Sequence, residues 1–176
     1  MNLPNGALRR KRSALKMLPA TLAHLCIRTA SHNDCQRVVA LVSIVLAEYG
    51  LVFDPKTTDS DLQDLEANYL RRGGAFEVIE DRELNLIGSV GVYPIDQKTC
   101  ELRKMYFVPQ VRGLGLGQHI LQRTLDRARE LGFSRMVLET SSRLEAANRL
   151  YAKFGFKPET SGHLAARADQ AYSLEL

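Results

Sequence analysis

Between two apolar-patterned stretches the chain reads Val111-Arg112-Gly113-Leu114-Gly115-Leu116-Gly117-Gln118, and three glycines alternating over five residues are more than a turn needs. The residues before it alternate as a strand does. After it Ile120, Leu121, Leu125 and Ala128 share one face of a helix that Gly132 ends. A strand-to-helix junction of this kind gathers unpaired amides at the positive end of the helix dipole, which makes an anion site. Without side chains at Gly113, Gly115 and Gly117, a phosphate can approach the backbone, and glycine adopts cheaply the conformations such a cradle requires. Two phosphate motifs are excluded. A nucleoside-triphosphate loop ends in Gly-Lys-Ser/Thr, and here Gln118 and His119 follow Gly117. A dinucleotide fingerprint counted from Gly113 or Gly115 puts Gln118 or Ile120 where its last glycine belongs. From the loop alone, an ordinary strand-to-helix turn remains the alternative.

The flanking pattern predicts a mixed α/β fold. Residues 25–29 read as a strand, followed by a helix capped by Ser31 or Asn33, with Val38, Val39, Leu41, Val42, Val45 and Leu46 at helical spacing up to Gly50. A shorter helix is predicted from a Thr58 or Asp59 cap, with Leu62, Leu65 and Tyr69 on one face, before Gly73 and Gly74. Residues 75–80, 86–93 and 100–108 read as an antiparallel meander, and 134–140, 144–154 and 171–176 as strand, helix and closing strand. The order implies a mixed sheet with helices on both faces.

The 176 residues fit one domain, taken as 25–176, and 45% apolar content fills one core. No apolar run approaches the roughly 18 residues of a membrane span, so a soluble, cytoplasmic protein is expected. The net charge of +4 is uneven: Arg9, Arg10, Lys11, Arg12 and Lys16 lie in residues 1–24 without an acid, leaving 19 basic residues against 20 acidic ones in the rest. The body is neutral, which removes the electrostatic case for nucleic acid. Residues 1–24 read as a disordered basic leader, similar in composition to an organelle transit segment. Cys26, Cys35 and Cys100 are odd in number and have no metal-ligand spacing, so they read as small core residues in a reducing compartment, with neither disulfide nor metal expected.

Arg-x-x-Gly-x-Gly at Arg112, Gly115 and Gly117 resembles the acetyl-CoA loop of the GNAT superfamily of N-acetyltransferases. Asn148-Arg149-Leu150-Tyr151-Ala152-Lys153-Phe154-Gly155-Phe156 is similar to that family's N-x-x-Y-x-x-x-G-F signature. The resemblance implies a central, mostly antiparallel sheet with a splayed parallel pair, acetyl-CoA as acyl donor, and transfer to a primary amine of a small molecule or protein. A homodimer is compatible with it. It assigns cofactor contacts to the backbone of Tyr106, Phe107 and Val108, to Arg112, Gly113, Leu114, Gly115, Leu116, Gly117 and Gln118, and to Asn148 and Tyr151.

Aminolysis of a thioester needs an uncharged amine, a polarised carbonyl and a proton for the departing thiolate. The resemblance gives Tyr151 the last role, as general acid, although its spacing with Leu144, Ala147 and Leu150 also suits a core tyrosine. Glu101 is similar in position to a glutamate that serves as base in some relatives. Glu139 or a water chain is the alternative base, and Glu101 also fits a surface strand residue paired with a lysine. Arg112 is expected to pair with phosphate oxygens. Asp169 and Tyr172 are candidate contacts for the amine, and His119 and His163 fit solvated histidines. A non-catalytic acyl-CoA sensor is the alternative to an enzyme, and retention of Tyr151 argues against it.

Overall fold

The structure, a computed structural model, describes Leu22, residues 24–160 and residues 164–176. The basic leader therefore lies almost wholly outside the described residues, as does His163. Seven strands form one sheet: β1 (Cys26–Thr29), β2 (Ala75–Glu80), β3 (Leu86–Pro94), β4 (Thr99–Phe107), β5 (Arg135–Thr140), β6 (Lys157–Pro158) and β7 (Gln170–Glu175). Their order is β1-β2-β3-β4-β5-β7-β6. The β2-β3-β4 meander is antiparallel as its turn signals predict, β7 closes antiparallel on β5, and β4 with β5 is the parallel pair.

Helices cover both faces. On one, α1 (Cys35–Glu48) buries Val38, Val42 and Leu46 against Phe76 and Val78 of β2. On the other, α2 (Leu116–Glu130) buries Ile120, Leu121, Leu125 and Ala128 beside Tyr151 of α3 (Glu145–Lys153). Each of these valine, leucine and isoleucine side chains contributes roughly 1.5–3 kcal/mol on burial. Gly50, at φ +64, ends α1 with the conformation glycine adopts most cheaply.

The helix expected around Leu62, Leu65 and Tyr69 is not continuous. A short 3-10 turn, Ser60–Gln63, and a π turn, Glu66–Leu70, take its place, because Asp64 between them is extended and its carboxylate accepts the Ala67 N–H at 2.9 Å. All three apolar side chains are nonetheless buried, so the spacing reported a buried face rather than a regular helix.

Two features of β4 interrupt the regularity of the sheet. Its parallel pairing covers Thr99, Cys100 and Glu101 against Arg135, Met136 and Val137, after which the strands part. Its register against β3 shifts between Ser89 and Gly91, with Lys104 at φ +55 and its carbonyl accepting the Ser89 hydroxyl at 2.8 Å. This is a β-bulge, and it breaks the alternation of side chains. Arg103 and its chain neighbour Lys104 consequently both reach Asp61 on the α1 side.

Candidate active site

The parting of β4 from β5 opens a cleft of about 540 Å³ that runs from the glycine loop to the α1 side of the sheet. The loop forms its outer end. Gly113 at φ +75 and Gly115 at φ +87 are both left-handed, and Gly115 is the residue from which α2 starts. The first amides of α2, at Leu116, Gly117 and Gln118, thus follow directly on a turn that a side chain would strain. Gly113, Gly115, Gly117 and Gln118 line the cleft, whereas Leu114 is exposed and Leu116 is buried in the core. Gln118 Oε1 accepts from Lys153 Nζ at 3.0 Å, which joins α2 to α3.

Arg112, expected to meet phosphate oxygens, is paired within the chain. Its Nε donates to Phe107 O at 2.8 Å, and its Nη1 pairs with Glu48 at the end of α1 at 2.6 Å. The guanidinium is therefore engaged by a carboxylate of the chain itself.

Of the three β4 amides assigned to the cofactor, Val108 N–H donates to Ile87 O at 3.0 Å and so faces β3. Alternation along an antiparallel ladder leaves the polar groups of Phe107 facing the open side, as its carbonyl bond to Arg112 also indicates, and turns those of Tyr106 toward β3. The side chain of Tyr106 lines the cleft instead. Burial pushes its phenol pKa up, against the pull of Arg167.

Tyr151 lines the cleft and is 7% exposed, its ring edge-on to Phe156. Burial, aided by nearby Tyr106, raises its phenol well above the ordinary tyrosine value, so it holds its proton throughout the physiological range. Asn148, one turn earlier, is spanned by the end of β5: Thr140 Oγ1 donates to its Oδ1 at 3.1 Å, and its Nδ2 donates to Ser141 O at 3.0 Å. These bonds fix α3 against the strand.

Glu101 lines the cleft on the α1 side and is paired with Arg103 at 2.6 Å, an arginine rather than the expected lysine. Glu139 lines it from β5, and its Oε2 accepts the Ala165 N–H at 2.9 Å. Asp169 and Tyr172 do not line it. Asp169 instead accepts both the N–H and the hydroxyl of Ser142, at 2.7 and 2.6 Å, which lowers its carboxyl pKa, and the Tyr172 hydroxyl donates to Gln170. The backbone N–H of His119 closes the first turn of α2 on Gly115 O.

A charged cluster that pattern reading missed forms the α1-side wall. Asp59 is fully buried, and Arg167 grips it with Nη1 and Nη2 at 2.5 and 2.7 Å. Lys104 Nζ reaches the same carboxylate at 2.6 Å. Burial works to raise the Asp59 pKa, but these two cations outweigh it and hold the carboxyl below its usual value. Behind lies Asp61, which accepts the Tyr69 hydroxyl at 2.5 Å. Its Oδ1 has no hydrogen-bond donor among the described residues, and Lys104 Nζ stands 3.1 Å away. The one signal of this arrangement in the sequence is the adjacent charged pair Arg103-Lys104 in a strand that otherwise alternates.

The family model described as Acetyltransferase (GNAT) family matches residues 38–156. An uncharacterised N-acetyltransferase of Escherichia coli (strain K12) is 36% identical over 136 residues, covering 74% of this chain and 81% of that protein. One from Schizosaccharomyces pombe is 34% identical, covering 71% and 77%. The chain also matches human N-acetyltransferase 8B at 33% identity, spanning 45% of that longer protein. Among solved structures, an acetyltransferase of the GNAT family from Staphylococcus aureus superposes with a TM-score of 0.80 at 20% identity, covering 86% of this chain and 98% of that one. The yncA structure from Salmonella typhimurium, with its cofactor acetyl-CoA, superposes with a TM-score of 0.67 at 24% identity, covering 86% and 93%. These structural likenesses bear on the fold.

Proposed function

We propose, from the premise that this chain belongs to the acetyltransferase (GNAT) family and is an N-acetyltransferase, that it binds acetyl-CoA in the cleft between β4 and β5 and passes the acetyl group to a primary amine. The observation that carries this reading is the position of the left-handed glycine turn, at the outer end of a gap between parallel strands that Tyr151 also lines. The residues fit the group: the amides opening α2 would meet the pyrophosphate, and the outward amide of Phe107 the pantetheine arm. Bound there, acetyl-CoA supplies an acetyl thioester. The three free cysteines suit a reducing, cytoplasmic setting.

The chain's own groups divide the proton handling. Glu101, or Glu139 beside the same gap, takes the proton of the incoming ammonium, directly or through water, and leaves a neutral amine. As the carbon–nitrogen bond forms and the carbon–sulfur bond breaks, the Tyr151 phenol delivers a proton to the departing sulfur, and the second proton that the nitrogen sheds in becoming an amide returns through water to the phenolate. The raised pKa of the phenol keeps its proton available. Arg112 would exchange Glu48 for phosphate oxygens when the nucleotide arrives. The alternative of a non-catalytic acyl-CoA sensor gives way to the N-acetyltransferases among the relatives.

The test is calorimetric titration with acetyl-CoA, coenzyme A and ATP, of the protein and of its Arg112→Ala, Gly115→Val double variant. Micromolar acetyl-CoA binding that the double variant loses is expected. A folded protein that binds no acyl-CoA would sink the reading.

A further inference from the structure

Beyond the gap, on the α1 side, the cleft becomes a chamber whose wall carries both signs of charge. Glu101 and Arg103 of β4 point into it. Glu139 faces the same way from β5, since Glu101 lies opposite Val137 and side chains two apart share a face. Arg167 faces them from the segment between β6 and β7. Arg103 and Arg167 are 30% and 16% exposed; Asp59, at 0%, compensates Arg167 from below, whereas Arg103 pairs with Glu101 at 2.6 Å at the chamber surface and lies 3.6 Å from the deeper Asp61. Lys104, 4% exposed, is likewise withdrawn. The chamber surface thus presents two carboxylates and two guanidiniums, of which Glu101 and Arg103 are joined in a pair that a ligand bearing both charges can exchange. Val45, Leu51 and Ala168 add apolar lining to the same cleft.

Resting on the acetyl-CoA reading, we infer that the acceptor is a free amino acid, with its ammonium at Glu101 and Glu139 and its carboxylate on Arg167 and Arg103. A polyamine would satisfy the two acids and be repelled by both guanidiniums, and a monoamine without a carboxylate would take Glu101 from Arg103 and give that guanidinium nothing in return. A zwitterion, with its opposite charges a few ångströms apart, complements both sets, and a guanidinium offers a carboxylate a two-pronged grip. A peptide N-terminus lacks the neighbouring carboxylate and is disfavoured for the same reason.

The experiment measures acetyl transfer to the twenty standard amino acids, to the decarboxylated amine and carboxamide of each one acetylated, and to spermidine. In parallel, calorimetry of the coenzyme A-saturated protein with the same compounds reads binding without turnover. The expected result is a preference of about tenfold or more for the free acid over its decarboxylated and amidated forms, in kcat/KM and in Kd. That preference should collapse in Arg167→Gln and survive in part in Arg167→Lys. Arg103→Gln, which leaves the Arg167–Asp59 clasp intact, should lower it independently. Preference for spermidine or the decarboxylated amines overturns the inference, as does a ratio unchanged in both glutamine variants. So does acetyl-CoA binding with no amino acid acetylated, which leaves the cofactor reading standing. Absence of acetyl-CoA binding overturns both.

Discussion

Arg112 of the glycine loop and Glu48 at the end of α1, 64 residues apart, form an ion pair with Nη1 to Oε2 at 2.6 Å, and both side chains are 31% exposed. Glu48 thus occupies the guanidinium proposed above to meet phosphate, and adds a negative charge beside the proposed nucleotide site. Glu48→Gln is expected to tighten acetyl-CoA binding about three- to tenfold, more at low salt than at high. Arg112→Ala should weaken it about 10- to 100-fold. Titration of both variants at two salt concentrations checks the pair, and a Glu48→Gln protein that binds more weakly would contradict the competition.

Tyr151→Phe keeps the ring that packs on Phe156 and removes the proton. Turnover should fall about 10²- to 10⁴-fold with little change in the KM for acetyl-CoA. Because burial holds the phenol protonated, the wild-type rate should show no loss at pH 8–9 from its ionisation. A variant with full turnover would remove Tyr151 from the chemistry.

Asp59 compensates a buried ammonium from β4 and a partly buried guanidinium from the segment before β7. Asp59→Asn leaves both short of charge, at a cost of about 3 kcal/mol or more. It also frees Arg167 and the residues that carry it. Hydrogen exchange over residues 164–169 should accelerate, and the KM for the amine should rise more than that for acetyl-CoA.

Stability should fall at both ends of the pH scale. Hydrogen bonds from Arg28 hold the Asp34 and Glu80 carboxyls low, and Arg167 and Lys104 overcome burial to do the same for Asp59. Groups depressed in the folded state stabilise above their unfolded values, so this contribution is lost as pH drops below about 4. Burial raises the phenols of Tyr69, Tyr106 and Tyr151 and pushes the Cys100 thiol up to about 12. These groups stabilise fully below their unfolded values, and their contribution fades as pH rises above about 8.5 for the thiol and about 10 for the phenols. Thermal unfolding from pH 3 to 11 would display both flanks, and a melting temperature level from pH 4 to 3 would contradict the acid one.

An added Cβ at Gly88 would lie 2.5 Å from Cδ1 of Phe107, whose ring lines the cleft. Gly88→Ala should cost about 1–3 kcal/mol through overpacking and lower the Tm by roughly 2–4 °C for each. It should also weaken acetyl-CoA binding, because the ring has to move into the gap.

The glycine loop, the meander and the Tyr151 helix were legible in the sequence because each is specified locally, by turn residues and by apolar spacing of period 2 or 3.6. The bulge at Lys104 is a register event between two strands, and no glycine marks its positive φ. Asp64 breaks the expected helix through its backbone conformation and its bond to Ala67, neither of which alters the apolar spacing around it. The Asp59 to Arg167 clasp spans 108 residues, so nothing near either residue announces the other. The half of the cleft built from the loop was therefore readable, and of the chamber facing α1 only Glu101 and Glu139 were, not the wall of Asp59, Lys104 and Arg167.

The parallel pair joins β4 to β5 across three register positions. On one side of that short seam stand β1 to β4, and on the other β5 to β7. Higher up, the two halves are tied by side-chain clasps such as Arg167 to Asp59 and Arg143 to Gly50 O. An arm of cofactor lying in the seam would work as a dowel, supplying rungs that the polypeptide itself leaves out. The enzyme would then stiffen when loaded and slacken when spent, so that each catalytic cycle is also a cycle in the rigidity of its sheet.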